Sequence, residues 1–193
     1  MGYIDLTCRE SISLMNGGQD FAYENDAGNK LFLGYNVNTY LFFELPPIAF
    51  YCHILQARLL LYKIPLYCTG IASELPNSQY SVCPLLDFFS SYSNLYTQPR
   101  TDDSFIVNFE DQTNMSYTEI DITAIAGAWI EENIENKGLL MTGNLGAQQL
   151  IYASDQYKTV GMRPMLRLTY DVISWPLRAA SCTVAVEEIN RLL

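Results

Sequence analysis

Residues 120–170, IDITAIAGAWIEENIENKGLLMTGNLGAQQLIYASDQYKTVGMRPMLRLTY, constrain the fold more than any other stretch of this chain. Ile122, Ile125, Ala126, Trp129 and Ile130 recur at helical spacing, so they predict one short amphipathic helix over about 123–133. Asp121 or Thr123 can accept a hydrogen bond from the unpaired amides of its first turn. Glu131, Glu132 and Glu135 crowd the other end, where the helix dipole disfavours acid. Burial of the apolar stripe must therefore hold this helix. Asn136-Lys137-Gly138 turns the chain, with Asn136 or Gly138 free to take positive φ.

Strand signals follow the helix. Leu139-Leu140-Met141 is a continuous apolar run between turn residues, as expected of a strand covered on both faces, and residues 149–153 form a second run. Residues 165–170 alternate behind Pro164, which sits at the strand entrance where its missing donor does least harm. One short helix among strands predicts an antiparallel β-sandwich with the helix as a lid on one end.

Upstream, residues 31–35 and 39–45 read as strands joined by a tight turn at 36–38, and Pro46-Pro47 ends the second. Residues 54–64 form a long strand that stops at Pro65, and 80–86 and 105–109 are further strands. Residues 1–24 read as an arm. Residues 3–8 and 11–14 alternate as half-buried strands do, before Asn16-Gly17-Gly18 breaks the pattern. This arm is either an edge strand of the same domain or a strand that pairs with a neighbouring molecule. Residues 172–193 extend past the last strand, and the alternating run 181–186 must be covered, by its own sandwich or by a neighbour's edge.

Several parts of this pattern resemble the DNRLRE-domain family of bacterial surface modules. The matching features are the Asp121-Ile122-Thr123 opening, Trp129, Asn136-Lys137-Gly138-Leu139-Leu140, Ser154, and Arg163-Pro164-Met165-Leu166 with Tyr170. Tyr40-Leu41-Phe42-Phe43-Glu44-Leu45 and Ala57-Arg58-Leu59-Leu60-Leu61-Tyr62 are similar to that family's first paired strands. The resemblance covers roughly residues 25–171, lacks the six-letter motif that names the family, and leaves both chain ends outside. It implies a jelly-roll-like β-sandwich without a catalytic centre, displayed on a bacterial cell or spore surface, in a group some of whose members bind polysaccharide.

Composition narrows the function classes. Of 193 residues, 49% are hydrophobic and only 17% charged, which excludes disorder and points to surface covered by another subunit. The net charge of −10 repels nucleic acid and anionic membranes, and no basic stripe offsets it. No run approaches the ~20 apolar residues of a membrane span, and the sequence as given opens with no secretory signal.

Chemistry-bearing motifs are few. No nucleophile elbow, phosphate loop or dinucleotide glycine pattern appears, so neither an enzyme nor a cofactor is expected. The lone His53 has neither a positioned nucleophile nor metal partners. Asp102-Asp103 and Glu110-Asp111 lack calcium-loop spacing, and the five cysteines lack zinc spacing, so no metal is expected. Adjacent acids such as Glu131-Glu132 do not face each other across a cleft, as a glycosidase would need. Cys8 and Cys182 lie in the two terminal extensions, where thiols would serve an intersubunit cross-link, although buried free thiols are the simpler alternative.

The irregular stretch 87–104 is long enough to carry function. Tyr92 and Tyr96, with Arg100 beyond, would form a platform for sugar rings, or the aromatics there simply plug one end of the sandwich. Two functions are therefore expected. The first is a non-catalytic structural protein that self-assembles through its arms into a surface or filament assembly. The second is a carbohydrate-binding module.

Overall fold

A computed structural model describes residues 1–15, 27–47, 49, 52–64, 78–89, 98–111 and 114–172. In chain order the strands are β1 (Gly2–Thr7), β2 (Glu10–Met15), β3 (Lys30–Leu33), β4 (Val37–Phe42), β5 (Cys52–Tyr62) and β6 (Tyr80–Pro84). They continue with β7 (Val107–Phe109), β8 (Tyr117–Asp121), β9 (Leu139–Gly143), β10 (Leu150–Ala153) and β11 (Met165–Val172). A single α-helix, α1 (Thr123–Ile130), lies between β8 and β9 among the described residues.

Two antiparallel sheets make an all-β sandwich. One has four strands in the order β1-β11-β5-β8, and the other five in the order β2-β4-β9-β6-β7. A two-stranded sheet, β10-β3, is tied to both: Ile64 N donates to Ile151 O at 2.8 Å, and Phe32 N donates to Ser13 Oγ at 2.9 Å. Strand alternation sorts the side chains. Leu59, Leu61, Leu166, Leu168 and Ile120 point inward from the first sheet and meet Leu41, Leu139, Met141, Val82 and Tyr80 from the second, all nearly inaccessible. Each such side chain contributes about 1.5–3 kcal/mol by leaving water.

The helix forms for the reason the stripe predicts. Ile125, Ala126 and Trp129 are buried in the same core, and α1 packs against β5. Its expected extent is corrected: it ends at Ile130 rather than 133. Glu132 takes a left-handed backbone (φ 57°), Glu132 N donates to Trp129 O, and Asn133 N donates to Ala128 O at 2.9 Å. That bond pair is a Schellman cap, which stops the helix at Ile130, the last residue of the apolar stripe. The start also differs in detail. Ile122 occupies the N-cap position without a side-chain bond, while Asp121 Oδ1 accepts from Thr123 N at 2.9 Å.

Strand limits shift slightly. The long strand begins at Cys52, and Asp103–Phe105 is a short 3₁₀ turn, with Asp102 accepting from Ser104 N, that delays β7 to Val107. Strand β8 was not expected, although Tyr117-Thr118-Glu119-Ile120-Asp121 alternates. The apolar run in β9 is explained by a second cluster. Leu139 and Met141 face the core, while Leu140 turns outward to pack with Tyr40, Leu85 and Phe89.

Candidate functional site

Residues 2–7 and 10–15 of the expected arm are built into the body of the molecule. Strand β1 pairs along its whole length with β11, from Gly2 opposite Tyr170 to Thr7 opposite Met165. The chain then bends at Cys8 and Arg9 and crosses to the other sheet, where β2 pairs with β4 from Glu10 opposite Phe42. Consecutive strands thus form the edges of both sheets on one side of the sandwich.

Hydrogen-bond parity fixes how β1 meets the outside. Cys8 N donates to Pro164 O at 2.9 Å, so Cys8 and every second residue before it, Leu6, Ile4 and Gly2, direct their backbone groups toward β11. Tyr3, Asp5 and Thr7 then direct theirs to the free edge. Among the described residues β11 is the only neighbour of β1. The inward side chains Ile4 and Leu6 are only half-buried, in contrast with the fully covered Leu166 and Leu168 beside them.

The outer face of this sheet carries a row of charge. Register places Asp5 opposite Arg167, Arg167 opposite Arg58, and Arg58 opposite Asp121. Two guanidinium groups therefore stand side by side, each offset by acid on its other flank. Arg167 grips Asp5 through two bonds of 2.7 and 2.8 Å, and Arg58 bonds Glu119. The hydrogen bond from Arg167 holds the Asp5 carboxyl below the usual carboxylate range. Burial opposes ionisation of Asp121, but bonds from Thr123 and Gln56 and the charge of Arg58 hold it below that range too. Tyr3 is 70% exposed, and Arg167 lies 5.6 Å from its ring centre.

The residues singled out from the sequence fall in different places. Tyr92, Tyr96 and Cys182 lie outside the described residues, as does 173–193 of the expected tail. Arg100 follows the undescribed stretch 90–97 in sequence. It is bonded in bidentate fashion to Asp87 at 2.8 and 2.9 Å, and its carbonyl accepts from Leu86 N. The expected sugar contact by Arg100 therefore shares the guanidinium with this clamp. Phe89, from the stretch 87–104, stacks on Tyr40 with ring centres 5.4 Å apart, and so plugs the outer face of the five-stranded sheet. Phe88 is exposed beside Lys137, whose Nζ is 5.5 Å from the ring centre.

Cys8 is turned inward. Only 5% exposed, it donates from Sγ to Glu10 O at 3.1 Å, and burial pushes its thiol up to about 12. A cross-link needs an accessible thiolate, and this position supplies neither access nor ionisation. Cys52 and Cys83 are likewise buried free thiols.

On the opposite side of the sandwich, where the β7 and β8 edges part, lies an open cleft of about 510 Å³. Gln79, Asn108, Phe109, Glu110, Asp111 and Glu119 line it. Two of its three carboxylates are already engaged, Asp111 by Lys63 Nζ at 2.6 Å and Glu119 by Arg58. Among the described residues no group of three or more His, Cys, Asp or Glu side chains is placed to hold one metal ion. No helix among them is long and apolar enough to cross a membrane. A scan of protein-family models finds no match to this chain, and a search of curated proteins finds no relative.

Proposed function

We propose that this chain is a non-catalytic structural module, of the kind displayed on a bacterial cell or spore, that self-associates through its terminal segments. The DNRLRE-like sequence features belong to the same reading. The observation that carries it is the contrast between the two sides of the sandwich. Strands at sheet edges are normally blunted by brevity, charge or proline, because an open edge templates pairing with another chain. Edge β7 has three residues, and β8 presents Glu119 and Asp121. Edge β1 runs six residues, with one acid and neither lysine nor proline, and β11 is its one described neighbour, whereas β2 beside it is met at Ser11 and Ser13 by Asp155 and Phe32. Sedimentation of the full chain across a concentration series tests the proposal. A mass that rises above 21.9 kDa with concentration is expected, and a monomer throughout would overturn it.

One observation favours polysaccharide binding as a second reading: Phe88 is 63% exposed beside Lys137 and the Asp87–Arg100 clamp, and Tyr92 and Tyr96 follow it closely in sequence. Retardation in polysaccharide-containing gels that disappears in Phe88→Ala and Tyr92→Ala is the expected result. Unretarded migration of the wild type in acidic and neutral polysaccharides alike would dispose of it.

A further inference from the structure

Resting on the self-association reading, we infer that the interface is the free edge of β1, and that its occupant is β1 of a second copy, paired antiparallel about a two-fold axis. The two four-stranded sheets then join into one of eight strands.

The backbone supplies the first reason. Tyr3, Asp5 and Thr7 present N–H and C=O groups away from β11, and an antiparallel copy offers the same groups in return. The side chains supply the second. Ile4 and Leu6 are half-buried at the sheet margin and become covered once another strand lies alongside.

Charge then selects the geometry. A two-fold contact makes the numbers of opposed residues add to a constant, and opposed free-edge groups must come from Tyr3, Asp5 and Thr7. Centring the axis on Asp5 would set two carboxylates directly opposite, which is disfavoured. Centring it on Leu6 leaves only residues 5–7 overlapping. Centring it on Ile4 opposes Tyr3 to Asp5 of the second copy, sets Ile4 against Ile4, and overlaps residues 2–6. Head-to-tail pairing of β1 with β8 of a neighbour would bring Asp5 toward the acidic margin formed by Glu119 and Asp121. The Ile4-centred two-fold contact is the one that charge and overlap both allow. It closes as a dimer, so any longer assembly requires a second interface.

Sedimentation equilibrium of the full-length chain and three variants tests the register, with circular dichroism and thermal melting confirming that each variant folds. Tyr3→Asp sets a carboxylate opposite Asp5 twice per dimer and should weaken association about tenfold or more. Tyr3→Pro removes a free-edge donor while sparing the bonds to β11, and should give a monomer. Tyr3→Lys sets an ammonium opposite Asp5 and should keep the dimer. If the wild type associates and folded Tyr3→Asp and Tyr3→Pro associate equally well, the interface lies elsewhere: the proposed function stands and this inference falls. Loss of association in Tyr3→Lys as great as in Tyr3→Asp would overturn the register. A wild type monomeric at every concentration would sink both, and so would slow amide exchange at Tyr3 and Asp5 in such a monomer, since the chain would then be covering its own edge.

Discussion

Cys8 sits where β1 ends and the chain bends toward β2, and its thiol is held neutral by burial. The ordinary value is 9.0, and the folded value is raised to about 12. A raised value means that the folded state keeps a proton the unfolded chain releases. Its stabilising effect is therefore complete below about pH 9 and lost as pH rises toward 12. Burial pushes Cys83 to about 11 and Tyr80 to about 12, in the same direction. The urea midpoint is accordingly expected to fall steadily above about pH 9, less steeply in Cys8→Ala, and the native thiol should react with iodoacetamide far more slowly than in urea. Asp5 works in the opposite sense. Its lowered value gives stability that is present above about pH 4 and lost as pH falls through the folded value. Asp5→Asn should cost at most about 1 kcal/mol at neutral pH, because the pair with Arg167 is partly exposed, and should converge with wild type in acid. The inward setting of Cys8 was legible in the sequence, since it shares the parity of Ile4 and Leu6. The partners of Asp5 were not, because alternation gives the face of a strand and not its neighbour.

Among the elements, α1 and the turn after it show how local signals compete with the core. The apolar stripe marked the helix, its face and its last residue, Ile130. The three further residues expected to about 133 are cut off by a Schellman cap whose left-handed position falls on a non-glycine residue. Glu132 holds the left-handed position of that cap beside the negative end of the helix dipole. Glu132→Gly should therefore raise stability by about 1 kcal/mol, read as the urea midpoint at constant slope. Inside the helix Gly127 has open space where a Cβ would go, so Gly127→Ala should add about 0.5–1 kcal/mol by helix propensity. Gly138 behaves differently. Its φ is 106°, and a Cβ there would stand 2.6 Å from Leu41 O, a backbone atom that cannot step aside. Gly138→Ala should cost about 2 kcal/mol or more, and the turn sequence Asn136-Lys137-Gly138 had marked that position in advance. Strand β8 gives only a weak signal because its five residues mix tyrosine, threonine and acids. Its apolar parity rests on Ile120 alone among aliphatic residues.

At the scale of the whole molecule, periodicity specified two layers and one short helix but not which strands pair, since any apolar face satisfies any other. The pairing that completes the first sheet joins the two ends of the described chain, with Gly2 opposite Tyr170 and β5 inside between β11 and β8. Contacts so distant in sequence are made late and slowly. Among the described strands β1 pairs with β11 alone, so it docks on β11 and lies at the margin of the sheet. Amide exchange should report both facts. Amides of β5 and β11, bonded on both sides and buried, should exchange only through global unfolding, and β1 should open more readily. Within β1 the rates should alternate. Ile4 and Leu6, bonded to β11, are expected to be protected at every concentration, whereas Tyr3, Asp5 and Thr7 depend on what lies beyond the edge. Protection of Tyr3 and Asp5 that appears on concentrating the protein and vanishes on dilution, while Ile4 and Leu6 stay constant, is the pattern of a strand shared between two copies. Uniform exchange along β1 at all concentrations would contradict the parity set by the Cys8–Pro164 bond, and with it the account of how this edge meets its surroundings.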